Sequence, residues 1–89
     1  MENRVAVISI ILTDVDIAPS VNQILNDYSE NIIGRMGLPY KEKNINIICI
    51  VLDAKQDVIN TLSGKLGKLD GVSVKANYVI KKTDSESGV

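Results

Sequence analysis

Two segments of this chain, residues 4–13 (RVAVISIILT) and 45–52 (INIICIVL), are apolar at odd and even positions alike. Side chains of a strand alternate between two faces, so a strand reads this way when both of its faces are covered. These two segments therefore belong at the centre of a sheet. Two other strand-like segments are weaker. Residues 32–38 are interrupted by Gly34 and Gly37, and residues 72–80 alternate Val72, Val74, Ala76, Tyr78 and Ile80 with Ser73, Lys75 and Asn77. A glycine-broken strand and a clean alternator both suit edges.

Helical periodicity fills the gaps. Asp14-Val15-Asp16 reads as a turn, and Asp16 or Ala18 as the cap of a helix with Pro19 in its first turn, where a missing N–H costs nothing. Ile17, Val21, Ile24, Leu25 and Tyr28 recur at helical spacing, while Asn22, Gln23, Asn26 and Asp27 face water. Residues 29–31 end that helix, and residues 39–44 (PYKEKN) form a loop. Asp53 with Gln56 three positions later has the form of a capping box. The stripe Val58, Ile59, Leu62 and Leu66 follows, with Gly67 as the expected stop and Gly71 opening the last strand.

The order is βαββαβ. In the ferredoxin-like arrangement of that order the first and third strands are central, and these are the two that are apolar at both parities. The expected fold is α+β: an antiparallel sheet of order 4-1-3-2 with two helices on one face. Residues 1–81 form the domain, and the small, charged residues 82–89 (KTDSESGV) are expected to be a disordered tail. Two helices cover only one face, yet the central strands carry Ile and Val towards both. A second copy of the chain is the ordinary remedy, so a homo-oligomer, dimer or tetramer, is expected.

Composition removes chemistry. There is no His, Trp or Phe, and there is one Cys. That excludes a His-based acid–base dyad, a histidine-ligated metal, a disulfide framework and a four-cysteine cluster within one chain. A net charge of -1 offers no basic field to nucleic acid or anionic membrane. The strands expected at the centre hold no aromatic residue on which bases could stack. No cofactor, metal or membrane association is expected, and direct nucleic-acid binding is not. The run 5–12 is too short to span a bilayer and reads as a buried strand, and one unpaired Cys fits a reducing compartment, so a cytoplasmic protein is expected.

Few positions remain for a site. Cys49, between Ile48 and Ile50, reads as an inert core thiol. Asp14 and Asp16 read as turn and cap residues, with a small metal or acid–base pair as the alternative. The segment Gly34-Arg35-Met36-Gly37-Leu38-Pro39-Tyr40 stands out because packing alone does not ask for it. Two glycines weaken a strand unless a bulge or the close approach of another group needs them. Arg35 adds a planar donor fork and Tyr40 a hydroxyl. Arg35 suits pairing across an interface, or recognition of a small anionic effector or a protein partner.

With the opening RVAVISIIL, residues 32–78, and within them GRMGLPY and the run from Asn60 to Lys75, resemble the small regulators proposed for iron-only hydrogenase systems. The resemblance spans residues 4–80. It implies a ferredoxin-like domain related to amino-acid-binding ACT domains and to the regulatory half of the nickel-responsive repressor. It also implies an anaerobic bacterial cytosol and an association with hydrogenase maturation. Two properties of those relatives do not carry over. The chain has no histidine for nickel, and strand one opens at Arg4, before which no DNA-binding arm is expected. ACT domains bind ligands near the first β–α loop, usually with a glycine that residues 13–19 (TDVDIAP) lack.

The expected function is a non-enzymatic regulatory or ligand-sensing module acting as a homo-oligomer. Gly34, Arg35, Met36, Gly37 and Tyr40 would form its recognition edge, with Asp14 and Asp16 at a neighbouring loop. A small anionic effector or a protein of the hydrogenase pathway would be its partner. The alternative is a structural assembly factor that uses the exposed sheet face.

Overall fold

The computed structural model describes residues 2–78. The expected tail, and the last residues assigned to the domain, lie outside that range. The elements are β1 (Arg4–Leu12), α1 (Ala18–Asp27), β2 (Ile32–Tyr40), β3 (Ile45–Ala54), α2 (Gln56–Gly67) and β4 (Val72–Tyr78). Short 3-10 turns at Val15–Ile17 and Lys41–Lys43 precede α1 and β3.

The two doubly apolar strands are the central pair. β1 and β3 run antiparallel from Arg4↔Ala54 to Leu12↔Asn46, β4 adds to β1, and β2 adds to β3. The order β2-β3-β1-β4 is the expected one, read from the other edge. Pleating sends Ala6, Ile8, Ile10 and Leu12 to the same face as Ile48, Ile50, Leu52 and Ala54, and all are buried. Val21 and Leu25 of α1 and Ile59, Leu62 and Leu66 of α2 complete this core, so both helices lie on that face.

The other parity has a different fate. Val5, Val7 and Ile11 of β1 pair with Asp53, Val51 and Ile47 of β3. Among the described residues nothing is packed over them, and Val5, Ile11 and Ile47 are 47%, 40% and 36% exposed. Burial of both parities, expected from the sequence, is thus met on one face only.

Local boundaries depart from expectation where the sheet overrides local signals. The capping box at Asp53 does not form. β3 keeps its ladder with β1 through Val5↔Asp53 and Arg4↔Ala54, which holds Asp53 in the strand. Helix α2 starts at Gln56 behind Lys55, which makes no side-chain cap. Gln56 instead accepts from Arg4 Nη1 at 3.0 Å and donates to Asn60 at 3.0 Å. Nor do Asp16 and Ala18 cap α1. Asp14 caps the 3-10 turn, its Oδ1 accepting from the Asp16 N–H at 3.0 Å, and Ile17 precedes the helix without a side-chain cap.

β2 runs two residues beyond its expected end, through Pro39 and Tyr40, because β3 offers partners as far as Ile45. Proline is tolerated there because the outer side of an edge strand has no ladder to lose. Gly67 lies inside α2 and the chain leaves the helix at Lys68. The left-handed glycine is Gly71, with φ +78. Its carbonyl accepts from the Thr13 N–H at 2.8 Å, tying the start of β4 to the end of β1.

Candidate functional site

The pleat of β2 divides the segment that the sequence singles out. Arg35 pairs with Ile50 and Gly37 with Ile48, so both look towards the helices. Gly34, Met36 and Tyr40 pair with Val51, Cys49 and Ile45 and lie on the open face. A register shift between Ile32 and Gly34 marks a bulge that sets this phase. Arg35 and Gly37 therefore form one feature, and Met36 and Tyr40 another.

The first feature is a groove of about 250 Å³ between the start of α1 and the outer half of β2. Ala18 and Asn22 line it from the helix, Arg35, Gly37 and Pro39 from the edge strand, and Asn46 and Ile48 from β3. Arg35 Nη2 donates to Asn22 Oδ1 at 2.7 Å. That bond engages one arm of the guanidinium fork beside the groove and leaves its other donors available for a carboxylate or phosphate. A Cβ built on Gly37 would meet no atom within 4 Å. Packing within the chain therefore does not require glycine there, and its effect is to keep the groove open.

Asp14 and Asp16 sit at the same end of the sheet. Leu12 pairs with Asn46, and Asn46 with Pro39, so the turn after β1 leaves the row that closes the groove. Both carboxylates are exposed, and that of Asp14 holds the backbone of its own turn. Gly71 packs against this turn: a Cβ on it would lie 2.9 Å from Asp14 Cβ. Among the described residues no group of three or more His, Cys, Asp or Glu is placed to hold a metal ion. Cys49 is a free, half-buried thiol on the opposite face of the sheet from the groove.

Tyr40 donates to Glu42 Oε1 at 3.2 Å, across the 3-10 turn and away from Arg35. Asn22, a residue the helical periodicity assigns to solvent, is exposed as expected yet is the partner of Arg35. Its role follows from how α1 lies over β2, which no local pattern in the sequence records. Asn46 and Pro39 were likewise invisible as lining residues. The alternation of β2 and β3 could have found them once the bulge was known.

Four antiparallel strands in this order, with both helices on one face, define a ferredoxin-like domain, the fold that ACT domains also have. The 98-percent overlap in both directions with the solution structure of the ACT domain from GTP pyrophosphokinase of Chlorobium tepidum agrees, at a TM-score of 0.68 and 18% identity. The chain belongs to the TM1266-like family, described as "iron-only hydrogenase system regulator, putative", whose sequence model matches residues 4–76. The uncharacterized protein TM1266 from Thermotoga maritima is 40% identical, with a TM-score of 0.84 over 89% of this chain and 100% of that one. An unknown protein from Galdieria sulphuraria shares the fold at a TM-score of 0.62 and 14% identity, over 92% of this chain and 48% of that one. No curated protein sequence matches the chain. The resemblance carried by GRMGLPY and residues 60–75 is thereby borne out, as is the fold. Among the described residues no helix is long and apolar enough to cross a membrane.

Proposed function

We propose that the protein is a non-enzymatic regulatory module of an iron-only hydrogenase system, cytoplasmic and homo-oligomeric, that senses a small anionic effector in the groove between α1 and β2. The observation that carries this is the Arg35–Asn22 pair at 2.7 Å on the wall of that groove. A guanidinium pre-oriented by a neutral acceptor keeps its charge for a ligand, whereas one paired with a carboxylate would not. Pro39 and Ile48 give the effector an apolar surface. The Asp14–Asp16 turn, two residues before Ala18, supplies negative charge that would favour an effector that also carries an ammonium group.

Catalysis has little to work with. The chain has no histidine, and its one thiol lies on the face away from the groove. The family description supports a regulatory role, and an effector or a protein of the hydrogenase pathway would deliver the signal.

A thermal-shift panel over amino acids, nucleotides, flavins and metals, on a sample of known oligomer mass, tests the proposal. A ligand at a hundred times its dissociation constant stabilises the folded state by about 2.7 kcal/mol. That is a shift of roughly ten degrees or more for a domain of this size. Arg35→Ala should abolish the response. Silence from every compound favours the alternative, an assembly factor that works through the open face of the sheet, where Met36 and Leu38 are 66% and 60% exposed.

A further inference from the structure

We propose that the open face of the sheet is the interface between two copies of this chain, packed sheet against sheet with the row Ser9–Cys49–Met36 at its middle. An antiparallel sheet with one free face normally turns polar residues to that side. Here three adjacent strands do the reverse. β1 presents Val5, Val7 and Ile11, β3 presents Ile47 and Val51, and β2 presents Met36, Leu38 and Tyr40. Only the outer strand β4 is polar, with Ser73, Lys75 and Asn77 on this side.

Size and charge select the occupant. Six of these side chains, Val5, Ile11, Met36, Leu38, Tyr40 and Ile47, are between 36% and 66% exposed. At ordinary side-chain areas they leave on the order of 500 Å² of largely apolar surface, at the upper end of what a monomer shows. A standard stable interface buries roughly 800 Å² per partner, of which this apolar patch would supply the greater part. In the paired rows its charges are one cation, Lys75, and one anion, Asp53. That balance gives no attraction to nucleic acid or to anionic lipid, but each charge finds its opposite on a copy of the same face.

The β1–β3 part of the Ser9–Cys49–Met36 row is low, between Met36 on one side and Lys75 on the other. Ser9 and Cys49 are small, and a Cβ added at Gly34, on the neighbouring row, would meet no atom within 4 Å. Larger side chains rise towards the Ile11–Ile47–Leu38 end. A face with a shallow middle and a raised end can interlock with a two-fold copy of itself, and two sheets so packed lie about 10 Å apart.

This inference names the interface of the homo-oligomer proposed above and rests on that part of it. The effector groove lies mainly on the other side of the sheet, with Leu38 and Ile47 reaching its rim, and Met36→Lys, which lies outside it, tests the interface separately. Sedimentation equilibrium on the wild-type chain should give a dimer, or a tetramer containing it, at micromolar concentration. Met36→Lys and Ile47→Lys, both at exposed positions, should each raise the dissociation constant at least a hundredfold while the circular dichroism spectrum stays unchanged. A short bismaleimide should join two chains through Cys49, the only cysteine, and fail to do so in either lysine variant. A monomeric wild type overturns the proposal. So does an oligomer whose affinity is indifferent to both lysines, because the copies then meet elsewhere. Loss of effector response with the oligomer intact would count against the groove alone.

Discussion

Arg35 on β2 reaches Asn22 on α1 across thirteen residues of sequence, Nη2 to Oδ1 at 2.7 Å, and the bond is exposed to solvent. An exposed hydrogen bond contributes little to stability, because water replaces either partner on unfolding. Its consequence is geometric: it holds the guanidinium against the groove. Arg35→Ala should therefore change the unfolding free energy by less than about 1 kcal/mol. The same change should remove the response to any effector found in the panel. Arg35→Lys, which keeps charge but loses the fork, should weaken binding about tenfold or more. Asn22→Ala should give a smaller loss. Isothermal titration with parallel denaturant melts separates these effects. A fall in thermal stability together with oligomer mass in Arg35→Ala would make the residue structural.

Gly71 and Asp14 give a second prediction, on the frame that supports the site. Gly71 has φ +78, and a Cβ there would press on Asp14 Cβ at 2.9 Å. Two separate penalties act on Gly71→Ala: the left-handed backbone costs roughly 1–2 kcal/mol, and overpacking adds about 1–3 kcal/mol. Asp14→Gly removes the crowding atom while leaving the backbone cost. In a double-mutant cycle by urea denaturation, the pair should be more stable than the sum of the single losses predicts, by about 1 kcal/mol or more. Strict additivity would show that the turn simply moves aside.

Neighbouring isoleucines should respond in opposite ways. Ile10 is wholly buried under the helices, whereas Ile11 is 40% exposed on the open face. Ile10→Ala should cost about 2–5 kcal/mol at any protein concentration, the sum of lost transfer energy and a cavity. Ile11→Ala should cost under about 1 kcal/mol at concentrations below the dissociation constant of the proposed dimer. At high concentration its deficit should grow if the open face is the proposed interface, because the substitution then weakens the dimer as well. Thermal melts at two concentrations a hundredfold apart distinguish the two. A concentration-independent deficit at Ile11 would count against the covered face.

The sheet order was legible because double-parity apolarity in residues 4–13 and 45–52 has few other physical origins, and the pairing of β1 with β3 bears it out. What misled were signals that the sheet overrides. Asp53 and Gln56 have capping-box spacing, but a ladder extending to Arg4↔Ala54 outweighs one cap, whose worth is about 1 kcal/mol. Likewise Pro39 reads as loop until it is known to lie on an outer edge. The candidate site was legible as a segment but not as a place. GRMGLPY stands out by composition, yet a single bulge after Ile32 decides which of Arg35 and Met36 faces the helices. Periodicity cannot supply that phase, because one inserted residue inverts it.

Gly37 permits the sharpest distinction between a residue kept for folding and one kept for binding. It has no positive φ, and an added Cβ would meet nothing within 4 Å. Folding alone would thus favour a residue that loses less entropy, and Gly37→Ala should stabilise the chain by about 0.4–1 kcal/mol. Gly37→Val, with higher strand propensity, should stabilise it at least as much. Both side chains project into the groove beside Arg35, however, so effector affinity should fall about tenfold for alanine, or about 1.4 kcal/mol, and further for valine. Higher stability with weaker binding in one variant cannot come from damage to the fold. Unchanged affinity in Gly37→Val would place the effector elsewhere, because a branched side chain takes up part of a groove of only about 250 Å³ next to Arg35.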